Sequence, residues 1–312
     1  MTGRPAALPD WRKPPRPPRP LSPGDTVAVI APGSAAKPAR IRSGARQLEK
    51  LGFEVHVSPQ AFARHGHFAG RDAARAAALR RALADPAVRA IVFTRGGFGS
   101  ARLLPLVERE LRRTHPKILV GYSDATSLLT FVSGKLGWVT FHGPMVATDF
   151  PKLRRRDRSA FLDVLAGRPI EPLRLRATIR RGVAEGRIFG GCLSILVSLL
   201  GTQYAVDLSD RILLLEDVNE EPYSLDRMLT QLRQTGQLAR ARGIVFGEMQ
   251  NCGKRRELLG VLSERTRDLG IPVAFGLPSG HGRGKQTVPL GVNVRLDAGR
   301  RVLEVLEPGV TP

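Results

Sequence analysis

Ser123 is the first side chain placed to do chemistry. It stands in Gly121-Tyr122-Ser123-Asp124, after the apolar run Ile118-Leu119-Val120 and before Asp124-Ala125-Thr126-Ser127, which reads as the first turn of a helix. A serine at such a strand-to-helix elbow exposes its hydroxyl above the sheet, with helix N-terminal amides aimed at whatever it attacks. The local pattern is Gly-x-Ser-x-Ala, and helix capping by Ser123 or Asp124 also accounts for it. Arg95-Gly96-Gly97-Phe98-Gly99-Ser100 follows a second apolar run, Ala90-Ile91-Val92-Phe93. Its three glycines permit positive φ and close backbone approach to a ligand. Their amides suit a phosphate or an oxyanion, and a plain tight turn is the alternative. A nucleotide P-loop does not fit, because no Gly-Lys-Ser/Thr ending follows.

Glu216-Asp217 closes the run Ile212-Leu213-Leu214-Leu215. A carboxylate just beyond a strand faces either a cleft or bulk solvent. His281 lies in Ser279-Gly280-His281-Gly282, where the flanking glycines leave the imidazole free to swing toward a partner; a surface role is the alternative. His56, His65, His67 and His115 are placed less suggestively, and His142 sits near a strand end in Phe141-His142-Gly143-Pro144. A serine hydroxyl needs a base to become a nucleophile, and the base needs an acid to orient it. Ser123, Glu216 and His281 supply all three types, but such sets are recognised by geometry. On the residues alone, hydrolysis is one option among others.

The elements that must position these residues alternate. Thr26 to Ala31 reads as a buried strand closed by Pro32-Gly33-Ser34, and Ile41, Ala45, Leu48 and Leu51 recur at helical spacing. Val55 to Val57, Ala90 to Phe93 and Ile118 to Val120 read as further short strands, with a breaker-free helix over Arg71 to Ala84. Such alternation predicts a parallel sheet covered on both faces, with ligands beyond the C-terminal ends of its strands. In the second half, strands are expected at Ile212 to Leu215, Gly243 to Phe246 and Val273 to Gly276, with a helix from about Leu225 to Gln237. The stretch 151–182 is polar and weakly periodic. The chain is therefore divided into a flexible Pro/Arg-rich tail (1–22), an N-terminal domain carrying Ser123 (23–150), a linker (151–182) and a C-terminal domain carrying Glu216 and His281 (183–312).

Composition bounds the partners. The chain has 312 residues and a formal net charge of +21. That excess reads as arginine on solvated faces, since no recognition helix, zinc knuckle or aromatic-basic interleaving accompanies it. Nucleic acid is not expected as a partner, although a positive surface would attract a small anionic substrate. The two cysteines, Cys192 and Cys252, are too few for a disulfide framework and fit a reducing compartment, so a cytoplasmic location is expected. No apolar run approaches the ~18 residues of a membrane span, and the basic, Pro-rich start lacks the apolar core of a signal peptide.

Taken together, these motifs resemble the LD-carboxypeptidase family of serine peptidases, which includes the murein tetrapeptide carboxypeptidases and the microcin C immunity peptidases. The likeness runs from about Gly24 to Leu306. It is carried in order by Gly24 to Pro32, Ala69-Gly70-Arg71-Asp72, Arg95 to Leu104, Gly121 to Asp124, His142-Gly143-Pro144-Met145, Leu215 to Val218 with Glu221-Pro222-Tyr223 and Asp226-Arg227, and Gly280-His281 with Pro289-Leu290-Gly291. The resemblance implies an N-terminal Rossmann-like parallel-sheet domain with a smaller C-terminal α/β domain. It implies Ser123 as nucleophile, His281 as general base and Glu216 as the orienting acid, with an oxyanion hole from the amides of Gly97 and Asp124. It also implies a homodimer, a murein tetrapeptide as substrate, and no metal or organic cofactor. Arg95 is the candidate for the substrate's terminal carboxylate, with Gly96 and Phe98 beside it in the substrate-binding loop. Two departures stand out: Phe98 replaces a frequent Tyr, and Cys192 replaces the Asn of a common Gly-Gly-Asn-Leu. Two other readings stay open, a hydrolase of aminoacyl-nucleotide antibiotics and a non-catalytic basic binding protein.

Overall fold

Short β-branched runs and amphipathic helices alternate along the first half, and they pack as that pattern requires. The computed structural model describes residues 14–311. Strands β1 (Thr26–Ile30), β2 (Glu54–Val57), β3 (Val88–Phe93), β4 (Ile118–Gly121) and β5 (Thr140–His142) all run parallel, in the order β5-β4-β3-β1-β2. Helices α1 (Pro38–Glu49), α2 (Asp72–Ala84), α3 (Leu104–Arg113) and α4 (Thr126–Leu136) connect them. In α3, Leu104, Val107 and Leu111 recur at spacings of three and four and are all buried. Removing such runs from water is the main favourable term that holds the layers together.

Residues 151–182, expected as a linker, are folded. They hold α5 (Arg155–Leu165), β6 (Leu173–Arg174) and β7 (Ala177–Arg180). The polar face of α5 masks its pattern, yet Phe161, Val164 and Leu165 are buried and Phe161 packs edge-on against Phe150 at 5.2 Å. Of the expected flexible tail, residues 1–13 lie outside the described residues. Residues 14–22 are held: Arg16 N–H donates to Gly137 O at 2.7 Å and Leu21 is buried.

The second half builds on β8 (Val183–Cys192), α6 (Leu193–Ser198), β9 (Arg211–Val218), α7 (Pro222–Gln234), β10 (Gly243–Gln250), α8 (Arg255–Thr266) and β11 (Val273–Gly280). Strands β8, β9, β10 and β11 are parallel neighbours. β12 (Val288–Leu290), β13 (Asn293–Asp297) and β14 (Val302–Val305) follow. The eight-stranded second sheet runs β6-β14-β13-β8-β9-β10-β11-β7. α7 starts earlier than its periodicity suggests because Pro222 suits a first helical turn, where no N–H is needed.

One strand crosses between the halves. After β11 the chain leaves the second sheet, and β12 joins the edge of the first, pairing antiparallel with β5 and setting Val288 against His142. The segment between β11 and β12, residues 281–287, is thereby stretched across from one sheet to the other. β3, β4, β9 and β11 each deliver one of the segments singled out above at its C-terminal end.

Candidate active site

The β4–α4 elbow holds Ser123 at φ 62°, in the left-handed region that L-residues avoid. Such strain persists only where the surroundings enforce it, and it clusters at functional sites. The glycine loop after β3 enforces it here. A β-carbon on Gly96 would stand 2.6 Å from both Cβ and Oγ of Ser123 and 3.2 Å from the Asp124 nitrogen. Only a glycine lets the backbone pass this close.

Neither Ser123 nor Asp124 caps α4 with its side chain. The buried Asp124 carboxylate instead accepts the N–H groups of Gly99 (3.1 Å) and Ser100 (2.9 Å) and the Ser100 hydroxyl (2.6 Å). Elbow and glycine loop are thus one unit. Burial pushes the Asp124 carboxyl upward, while these hydrogen bonds pull the other way. From below, the buried Arg75 donates to the carbonyls of Pro32 and Gly99 and pairs with Asp72. Ser34 accepts the Phe98 N–H at 3.1 Å and hydrogen-bonds His67. Arg75, Ser34 and His67 carry no local signal for this role. Gly97 and Phe98 are exposed at the loop's outer side, and Arg95 is exposed with Nη1 on Ala35 O at 3.3 Å.

Glu216 lies inside β9, two residues before its end, because the strand continues past the expected Leu215; it has no exposure. Its Oε2 accepts both the ring Nδ1–H (2.7 Å) and the backbone N–H (3.1 Å) of His281. A β-carbon on Gly280 would sit 2.3 Å from that oxygen, so the approach needs a glycine, and its φ of 101° favours one. With Nδ1 donating, Nε2 of His281 is the nitrogen left to accept a proton. Burial drives the Glu216 carboxyl upward, but the His281 charge, the nearby His142 ring and the hydrogen bond from His281 outweigh it and hold the group at about 2. The Tyr122 and His281 rings pack nearly perpendicular with centroids 5.0 Å apart, which brings the imidazole against the residue preceding Ser123.

His142, set aside on sequence grounds, also belongs here. It is buried, with Nε2 3.5 Å from Glu216 Oε1. Ser279 Oγ donates to Gln286 O at 2.9 Å, so His142 Nδ1–H donates to that hydroxyl at 3.0 Å. Cys192 pairs in register with Glu216 but is no rival nucleophile. Burial, then the charges of Glu216 and Asp217, push its thiol well above the usual range, whereas a nucleophilic cysteine needs a thiolate.

The fold and site define a two-sheet α/β protein of the LD-carboxypeptidase class. Residues 27–143 match the LD-carboxypeptidase N-terminal domain and residues 185–296 the LD-carboxypeptidase C-terminal domain, and the chain belongs to this family. It is 36% identical to a probable murein peptide carboxypeptidase of Bacillus subtilis, over 94% of this chain and 95% of that one. It is 30% identical to the murein tetrapeptide carboxypeptidase of Pseudomonas aeruginosa, over 96% and 99% of the two chains. The crystal structure of an MccF-like protein from Bacillus anthracis superposes with a TM-score of 0.84 at 27% identity, covering 93% of this chain and 99% of that one.

Proposed function

We propose that the protein is a serine LD-carboxypeptidase that hydrolyses the amide between the L-configured centre of diaminopimelate and the terminal D-alanine of a murein tetrapeptide. The observation that carries the reading is the His281 Nδ1–H bond to the buried Glu216, taken with a serine held at positive φ under a glycine loop. In this mechanism Ser123 Oγ attacks the carbonyl carbon while His281 Nε2 takes its proton. Glu216 holds the tautomer and offsets the imidazolium charge. His281 then gives the proton to the departing D-alanine nitrogen, and water releases the acyl group by the same steps in reverse order of roles.

The oxyanion falls to the amides of Asp124 and Gly97. The Gly96 carbonyl accepts the Ser34 N–H at 3.3 Å, so across a trans peptide the Gly97 N–H is aimed the other way. That orientation supports Gly97 as a donor. Arg95, one residue before the loop's closest approach to Ser123, is the cation for the substrate's terminal carboxylate. Its field is felt at Tyr122, whose phenol burial, then Asp149 and Glu216, push far up while Arg95 opposes them. The setting proposed is the cytoplasm, in peptidoglycan recycling and as a homodimer; the two free, buried cysteines suit a reducing compartment.

Incubation with murein tetrapeptide, beside Ser123→Ala, tests the reading. D-alanine release by the wild type alone is expected. Release by neither sinks murein tetrapeptide as substrate. It would favour the second reading, hydrolysis of aminoacyl-nucleotides, which the likeness to the MccF-like structure supports.

A further inference from the structure

Lys285 lies in the segment stretched between β11 and β12, and its ammonium reaches three acceptors. It donates to Gly280 O at 2.7 Å and Tyr122 Oη at 3.0 Å, and meets Asp149 Oδ1 at 3.1 Å. A lysine ammonium has three N–H groups, so all are committed and none is left for a substrate. The Tyr122 hydroxyl in turn donates to Asp149 Oδ1 at 3.2 Å, and Asp149 Oδ2 accepts the Met145 N–H at 2.9 Å. Tyr122 is buried, and the side chains of Lys285 and Asp149 are 13% and 4% exposed. Tyr122 and Asp149 belong to the first half of the chain and Gly280 and Lys285 to the second.

We infer that Lys285 is a positioning residue for His281, clasping the histidine loop to the nucleophile elbow through Tyr122 and Asp149. The inference rests on the reading of Ser123 and His281 as nucleophile and base. The physical argument concerns one peptide plane. The Gly280–His281 peptide has its carbonyl held by Lys285 and its N–H held by Glu216 Oε2 at 3.1 Å. A planar group pinned at both ends fixes the direction in which the His281 side chain leaves the backbone. Because the same ammonium binds Tyr122, the neighbour of Ser123, it sets the histidine in register with the nucleophile across the two halves. On the loop's far side Arg154 donates to Arg283 O at 2.7 Å, but that contact reaches neither the elbow nor Gly280.

The double variant Lys285→Met/Asp149→Asn removes both charges together, so no buried ion is left alone. Its kcat for D-alanine release should fall on the order of 10²-fold, with KM within about threefold of wild type. The downfield proton NMR signal of the His281–Glu216 hydrogen bond, assigned with His281→Gln, should shift or vanish. Lys285→Arg, which keeps a donor for the Gly280 carbonyl, should restore part of kcat. A folded double variant with wild-type kcat and an unmoved downfield proton overturns the proposal. Should the wild type release no D-alanine, the peptidase reading fails, and the proton signal alone decides the clasp. Should the double variant not fold, Tyr122→Phe deletes one acceptor while keeping the ring, and an unchanged signal and kcat there overturn the proposal equally.

Discussion

Gly96 and Ser123 approach so closely that a single added carbon on Gly96 would lie 2.6 Å from the serine hydroxyl. The glycine loop is therefore part of the serine's surroundings and not a turn that happens to lie nearby. Gly96→Ala must displace either the loop, with its amides, or the serine rotamer. The expected loss in kcat/KM is on the order of 10²-fold, the scale of losing one oxyanion donor. A tetrapeptide assay showing Gly96→Ala within a few-fold of wild type would place the reacting geometry elsewhere.

The strained φ at Ser123 separates activity from stability. Both Ser123→Ala and Ser123→Gly should abolish turnover. Glycine adopts φ 62° without penalty and alanine does not. Ser123→Gly should therefore be the more stable of the two by about 1 kcal/mol in denaturant unfolding. Equal stabilities would mean that the elbow is relaxed in solution.

Acid stability should report on Glu216. Its folded-state value of about 2 lies below the ordinary 4.5 of an unfolded chain. A depressed carboxyl contributes stability that is fully present above the unfolded value and is lost as pH falls toward the folded one. The window is thus from about pH 4.5 down to 2, and the contribution on the order of 3 kcal/mol. Glu216→Gln should flatten the stability profile in that window. An unchanged slope in urea unfolding at several pH values would show that His281 and His142 do not hold the carboxylate ionised.

Thiol chemistry should be silent in the native protein. Burial and neighbouring carboxylates raise the Cys192 thiol well above its usual range, and burial lifts Cys252 to about 11. A thiol reagent at neutral pH should find no fast-reacting cysteine until the protein is unfolded, when both of the chain's cysteines react. Rapid inactivation by such a reagent, prevented in Cys192→Ser, would give Cys192 a part in the site.

Several elements that bear on the site were legible as local patterns: the apolar runs of β1, β3, β4 and β9, the Gly96–Gly97 bend, and the glycines around His281. These are short-range signals, because strand burial and backbone freedom depend on residues a few positions apart. Strands β5 and β12, three residues each, were too short to show a period. The helix within 151–182 was not legible, since its buried Phe161, Val164 and Leu165 are diluted by arginines on the exposed face.

The sequence by itself determined which residue types stand at the strand ends, and so the kind of chemistry on offer. Tertiary structure alone decided which of them meet. Glu216 takes His281 from 65 positions away, His142 finds Ser279 across 137, and Lys285 reaches Tyr122 across 163. Contacts of that span follow from the register of two sheets and from strand β12, which carries the second half of the chain back onto the first sheet. No local period encodes them, because periodicity specifies which face of an element is buried and not which distant side chain it is buried against.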